Sequence, residues 1–171
     1  MSSFGDIRAF FATPPAREHI WEELVVLLDS FTPREQLAEV VIPYCEDHLQ
    51  QLDVGARPLS DIQLRRLLGG FELPVAGLIT TLSFRRERLR ALQLGELQPR
   101  EFERILSSHK WSALREVDLS GQRAVVALLD VLLESTYVES LVTIGLNRCS
   151  LGDQGLENLS SRTSLTRLRH L

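Results

Sequence analysis

An α/β fold, with short parallel strands on one face and return helices on the other, is what this sequence predicts for its second half. A helical region precedes it. Two observations carry the prediction. The register Leu-x-x-Leu-x-Leu recurs as Leu89-Arg-Ala-Leu92-Gln-Leu94, Leu114-Arg-Glu-Val117-Asp-Leu119 and Leu141-Val-Thr-Ile144-Gly-Leu146, with a last start at Leu168-Arg-His-Leu171. Its starts lie 25, 27 and 27 residues apart. Each start is followed by a segment of helical character: Pro99 to Leu106, then Ala124 to Leu133, then Gly155 to Leu159. One short strand and one helix per unit is the pattern of a repeat solenoid.

A period of this size identifies the solenoid as a short leucine-rich-repeat array, in which the register leucines point inward and stack on their neighbours. The expected organisation is a helical N-terminal cap over residues 1–76 and repeats over 77–171. Ile79-Thr-Thr-Leu82-Ser-Phe84 carries the strand register but lies only ten residues before Leu89. It reads as a capping strand over 79–84, since solenoid ends are atypical. Repeats are then expected to start at 89, 114 and 141, with a truncated one at 168.

The N-terminal region reads as helices in sequence. Phe4, Ile7, Phe10 and Phe11 fall at helical spacing until Thr13-Pro14-Pro15 breaks the pattern. Ile20, Trp21, Leu24, Val25, Leu27, Leu28 and Phe31 form the apolar face of a second helix. Thr32-Pro33-Arg34-Glu35 is a capping box with proline at the first helical position. Pro43 breaks or kinks the helix that follows, and Tyr44 to Leu52 resumes it. After the loop Asp53 to Pro58, Ser60 caps a short helix that ends at Gly69-Gly70.

The unit Leu141 to Leu159 closely resembles a repeat of the ribonuclease-inhibitor type, in which a strand turns at an asparagine or cysteine into an α-helix. Cys149 stands at that turn position, and Leu151, Gly155 and Leu159 fill the apolar and small positions after it. Gln122 takes the turn position in the second repeat, and Leu97, which departs from the pattern, takes it in the first. The resemblance covers residues 79–171. It implies a concave face formed by Ala91, Gln93, Gly95 and Glu96, by Glu116, Asp118, Ser120 and Gly121, and by Thr143, Gly145, Asn147 and Arg148. The partner-binding residues expected from it are Gln93, Glu96, Glu116, Asp118, Ser120, Thr143, Asn147 and Arg148. The implied function is a non-enzymatic protein–protein interaction module. The alternative, by fold analogy, is a regulator of an enzyme, of inhibitor or GTPase-activating type.

Composition narrows the classes further. With 171 residues, 44% hydrophobic and 25% charged, the chain is an ordinary globular sequence with length for a sizeable core. A net charge of −4 argues against nucleic acid or an anionic membrane as partner. The start Met-Ser-Ser-Phe-Gly-Asp lacks the basic and apolar segments of a signal peptide, so a cytoplasmic location is expected.

No cofactor, metal or catalytic residue is expected. Cys45 and His48 lie one helical turn apart, but a second ligand pair is missing, so they read as structural. Cys149 reads as a buried hydrogen-bonding residue of its turn. Glu18-His19 with Glu22 and Glu23 reads as a solvated helix face, and Trp21 and Trp111 as core or cap residues. Arg85-Arg86-Glu87-Arg88-Leu89-Arg90 is the one basic cluster; without interleaved aromatics it reads as a solvated turn. The register at Leu168 is cut short at Leu171, which suggests a fragment of a longer solenoid, or an open edge used for self-association or completed by a partner.

Overall fold

The structure is a computed structural model and describes residues 2–16, 19–32, 36–52 and 54–171. Among these residues it is a mixed α/β protein with eight α-helices and one three-stranded parallel sheet. The chain divides into two compact units, Met1–Arg57 and Pro58–Leu171.

In the first unit, α1 (Phe4–Ala12) begins at a capping box in which the Ser3 hydroxyl accepts from the Asp6 N–H and Asp6 accepts from the Ser3 N–H. The Ser3 bonds also hold the Asp6 carboxyl below its ordinary value. α2 (Ile20–Asp29) buries Ile20, Trp21, Leu24, Val25 and Leu28, the face that the apolar spacing predicts. Of the capping box expected at Thr32 to Glu35, Pro33, Arg34 and Glu35 lie outside the described residues, as does Glu18. The kink expected at Pro43 takes the form of a π-turn, Leu37–Val41, leading directly into α3 (Ile42–Gln51). Proline lacks the amide an interior turn requires and crowds the carbonyl before it, and widening the preceding turn relieves that crowding.

The second unit is a parallel ladder. β1 (Thr81–Ser83), β2 (Glu116–Asp118) and β3 (Thr143–Gly145) lie in that order, with Thr81 opposite Glu116 and Glu116 opposite Thr143. Single parallel bridges extend the ladder to Pro58 beside Thr81 and to His170 beside Thr143. The pairing repeats in detail. The amides of Arg115 and Glu116 share the Thr80 carbonyl, those of Val142 and Thr143 share that of Arg115, and those of Arg169 and His170 share that of Val142.

Each connection between rungs carries a helix: α4 (Asp61–Leu68), then α5 (Arg86–Ala91) and α6 (Pro99–Ser108), then α7 (Val125–Glu134), then α8 (Gly152–Ser160). α4 packs on α6, α6 on α7 and α7 on α8, so a helix layer runs in the same order as the rungs. Ile79, Leu82 and Phe84, Leu114, Val117 and Leu119, and Leu141 and Ile144 are all fully buried between the layers. Phe84 meets Phe102 of α6 edge-on, with ring centroids 5.6 Å apart, and the Trp111 indole donates to the Ile105 carbonyl at 3.1 Å.

Two expectations are corrected. The repeat expected to start at 89 has no strand: Arg86–Ala91 is α5, and the segment read as a cap, 79–84, holds the strand that pairs with β2. Local preference explains the choice. Arg-Glu-Arg-Leu-Arg-Ala contains only good helix formers, whereas Ile79-Thr80-Thr81 is β-branched. Arg88 then fixes α5 in place, bonding the Ser83 carbonyl at 3.2 Å, the Leu59 carbonyl at 2.6 Å and Asp61 at 2.8 Å. The second difference is the boundary, which falls at Arg57/Pro58 rather than at 76/77. The Pro58 bridge and the Arg88 bonds tie residues 58–68 to β1, so α4 belongs to the ladder.

Candidate functional site

The side chains on the outward face of the ladder form two rows. One contains Thr81, Glu116 and Thr143, the other Ser83, Asp118 and Gly145. In the first row Glu116 is half-buried and accepts from the Thr81 hydroxyl at 3.3 Å, with Thr143 beside it on the next strand. Parallel strands lie about 4.8 Å apart, so these groups are held at fixed lateral spacing by the backbone.

The second row behaves differently. Asp118 is only 3% exposed, which corrects its expected place as an accessible concave residue. Its carboxylate takes the Arg85 guanidinium through Nε and the Ser120 amide at 3.0 Å, and it leans over Gly145 of the next rung. Burial alone pushes the Asp118 carboxyl up, but the bonds from Ser120 and Arg85 outweigh it and hold the group below its ordinary value. Asp118 therefore braces the ladder and is not offered to a partner.

Beyond the strand ends, where the chain leaves for the helices, three loops meet. The ladder pairing continues into them, with the Arg86 amide on the Ser120 carbonyl at 3.0 Å and the Gly121 amide on the Asn147 carbonyl at 2.9 Å. The outer side of these loops encloses an open crevice of about 410 Å³ lined by Arg85, Glu87, Ser120, Gly121, Asn147 and Arg148. Crevices beyond the carboxyl ends of parallel strands are recurrent ligand sites in open α/β sheets. Arg148 has a positive φ of 56° and reaches across to Glu87, 2.7 Å away, both side chains being highly exposed.

Behind the crevice, two turn side chains bond back to the preceding rung. Gln122 donates to the Phe84 carbonyl at 2.5 Å, and the Cys149 thiol donates to the Leu119 carbonyl at 3.4 Å. Both are the turn residues picked out in the sequence, and Phe84 and Leu119 are equivalent positions of successive rungs. Leu97 has no such role; it is buried after α5, in the segment where no strand forms.

Of the expected partner-binding residues, Glu116 and Thr143 share the strand face, and Ser120, Asn147 and Arg148 share the crevice. Gln93 stands apart, in a left-handed conformation just past α5. Glu96 is engaged by Arg86 at 2.8 Å and Arg123 at 3.5 Å. Arg85 and Glu87, read in sequence as part of a solvated turn, are crevice residues. The signal for Arg85 was its place directly after the inward Phe84, equivalent to Ser120 and Asn147.

Elsewhere, Cys45 is buried, and burial pushes its thiol up to about 12. Its neighbour in sequence, His48, sits among the rings of Tyr44 and Phe11 with Nδ1 on the Tyr44 carbonyl at 2.8 Å. No group of three or more metal-ligating side chains occurs among the described residues. Nor, among them, is any helix long and apolar enough to cross a membrane. Comparisons with protein-family models, with curated proteins and with solved structures gave no match to this chain.

Proposed function

We propose that Pro58–Leu171 is a short leucine-rich-repeat solenoid and that it serves as a non-catalytic module for binding a protein partner. Three features support the solenoid reading: a register that recurs rung by rung, a helix in every connection, and turn side chains at Gln122 and Cys149 that bond back to the preceding rung. For the binding role, one observation carries the reading. Thr81, Glu116 and Thr143 form a polar row on three adjacent strands, held in fixed register beside the exposed loop edge of Asn147 and Arg148. A surface already ordered by its backbone loses little conformational freedom on association, which favours affinity from a small contact area.

Affinity capture from a native lysate, comparing wild type with Glu116→Arg, tests this reading. The charge reversal lies on a half-buried side chain whose one hydrogen bond among the described residues is to Thr81, so the circular-dichroism melt should stay within about 1 kcal/mol of wild type. A partner held by wild type and lost by Glu116→Arg supports the reading. Identical sets of captured proteins would move the function away from this face.

A further inference from the structure

From the crevice at the strand ends we infer a chemical class of partner: it takes a carboxylate side chain from an extended acidic segment of a protein, bound between Arg85 and Arg148. This inference rests on the protein-binding reading above and adds the site and chemistry of the contact.

The geometry supplies the argument. Arg85 is anchored from below, since its Nε is fixed on the buried Asp118 carboxylate, and among the described residues its two terminal nitrogens make no hydrogen bond, with Glu116 and Glu87 acting on it only through their charge. A guanidinium held at one nitrogen is preorganised to offer the remaining N–H groups as a fork to a second carboxylate. Arg148, on the loop after the third strand, lines the same crevice as Arg85, with Gly121 on the loop between them adding no side chain to the lining. The exposed Asn147 amide lies on the same rim and makes no side-chain bond among the described residues. Donors therefore converge from the first and third rungs on one open space.

Glu87 shows what that space accepts. Its carboxylate sits on Arg148 at 2.7 Å, yet the two side chains are 78% and 82% exposed. Ion pairs so exposed contribute little to stability, so an incoming carboxylate can replace Glu87 at small cost. Glu87 acts as an internal stand-in for the ligand and competes with it.

A single carboxylate fits better than a polyanion. Glu87 is on the rim and Glu116 is on the adjoining strand face, while Glu96 is held nearby by Arg86 and Arg123. A strand of nucleic acid or a cluster of phosphates would meet these carboxylates as well as the arginines, and the whole chain carries a net charge of −4. An extended peptide places one acidic side chain in the crevice while its backbone follows the strand face.

The test is a nuclear magnetic resonance titration of the full ¹⁵N-labelled chain. The probes are a short glutamate-containing peptide capped at both ends, its glutamine counterpart, and inorganic phosphate. The expected result is shifts at the Gly121, Asn147 and Arg148 amides and at the Arg85 side-chain Nε–H with the glutamate peptide, and none with its glutamine counterpart. Arg148→Gln should weaken that binding by about tenfold, the effect of losing one charge-assisted contact. Glu87→Gln should tighten it by about threefold or more, because the internal competitor is gone.

Equal shifts with both peptides, or an unchanged affinity in Glu87→Gln, would overturn the inference. So would phosphate binding more tightly than the glutamate peptide at the same residues. Failure here leaves the Glu116→Arg capture result standing, so the two readings can fail separately.

Discussion

The strand rungs and the loop edge just beyond them use the same residue types in opposite ways. On the rungs, the Asp118 carboxylate is buried, paired with Arg85, bonded to the Ser120 amide and pressed against Gly145. On the loop edge a few residues further on, Glu87 and Arg148 pair in the open. The first arrangement is specified by neighbours on every side, and removing any part leaves a buried group without its partner. The second is held only by its own attraction, screened by water, and is easily exchanged. Rigidity belongs to the rungs that set the spacing, and exchangeable charge belongs to the edge that a partner can reach.

The sharpest way to break this contrast is to place a charge in the stack itself. Leu119→Asp puts a carboxylate at a fully buried position and should cost several kcal/mol, unfolding the ladder. An unchanged thermal melt would contradict the register. Next in size is Asp118→Ala, which strands the Ser120 amide and frees Arg85, for a loss of about 2 kcal/mol in denaturant unfolding.

Gly145→Ala should cost a comparable 1–3 kcal/mol by overpacking, at about the level of other small-to-large changes. Its new methyl would lie 2.7 Å from the Asp118 carboxylate oxygen. The double variant with Asp118→Ala should then lose less than the sum of the two, since the clash disappears with the carboxylate. Full additivity would mean that the two residues do not share one site.

Acid titration separates the same regions more gently. The folded-state value of Asp118 lies below its ordinary 3.8. Its contribution is therefore fully present above the unfolded value and is lost as the pH falls through the folded one. His109 adds an earlier limb. Burial lowers it below 6.5, and its Nε2 accepts from the Leu73 amide at 3.1 Å, so its contribution is complete above that pH and fades as the pH falls. Asp118→Asn should flatten only the limb below about pH 4 in a series of melts. His109→Gln should flatten only the limb that begins near neutrality.

The smallest expected effect is on the open edge. Glu87→Gln should move the melt by no more than about 0.5 kcal/mol. A larger loss would place Glu87 among the structural carboxylates and erase the distinction drawn between the two regions.

Much of the second unit was legible in the sequence because its signals agreed with one another. At 114–119 and 141–146 the inward apolar positions, the β-branched Val117 and Ile144, and the turn residues Gln122 and Cys149 all indicate the same rung. At 89–94 the leucines kept the register but the residues between them were helix formers, and local preference prevailed. Spacing alone could not separate that helix from a strand, because Leu89 is buried in either case.

The candidate site was legible only in part. Alternation along β2 places Glu116 and Asp118 on one face but carries no information about what covers each. Burial of Asp118 required Arg85, far away in sequence, and the missing side chain at Gly145. The crevice was hidden for the same reason: its residues come from three loops, and only the ladder pairing brings Arg85 and Glu87 beside Asn147 and Arg148.

Pro58, at the bridge before β1, breaks the donor pattern of the ladder. Along this ladder the amides of Glu116, Thr143 and His170 each donate toward the rung before them, and Pro58 occupies the equivalent place without an N–H. The Pro58 rung therefore carries one backbone donor fewer than the rungs that follow it, the position in a sheet where a proline is tolerated.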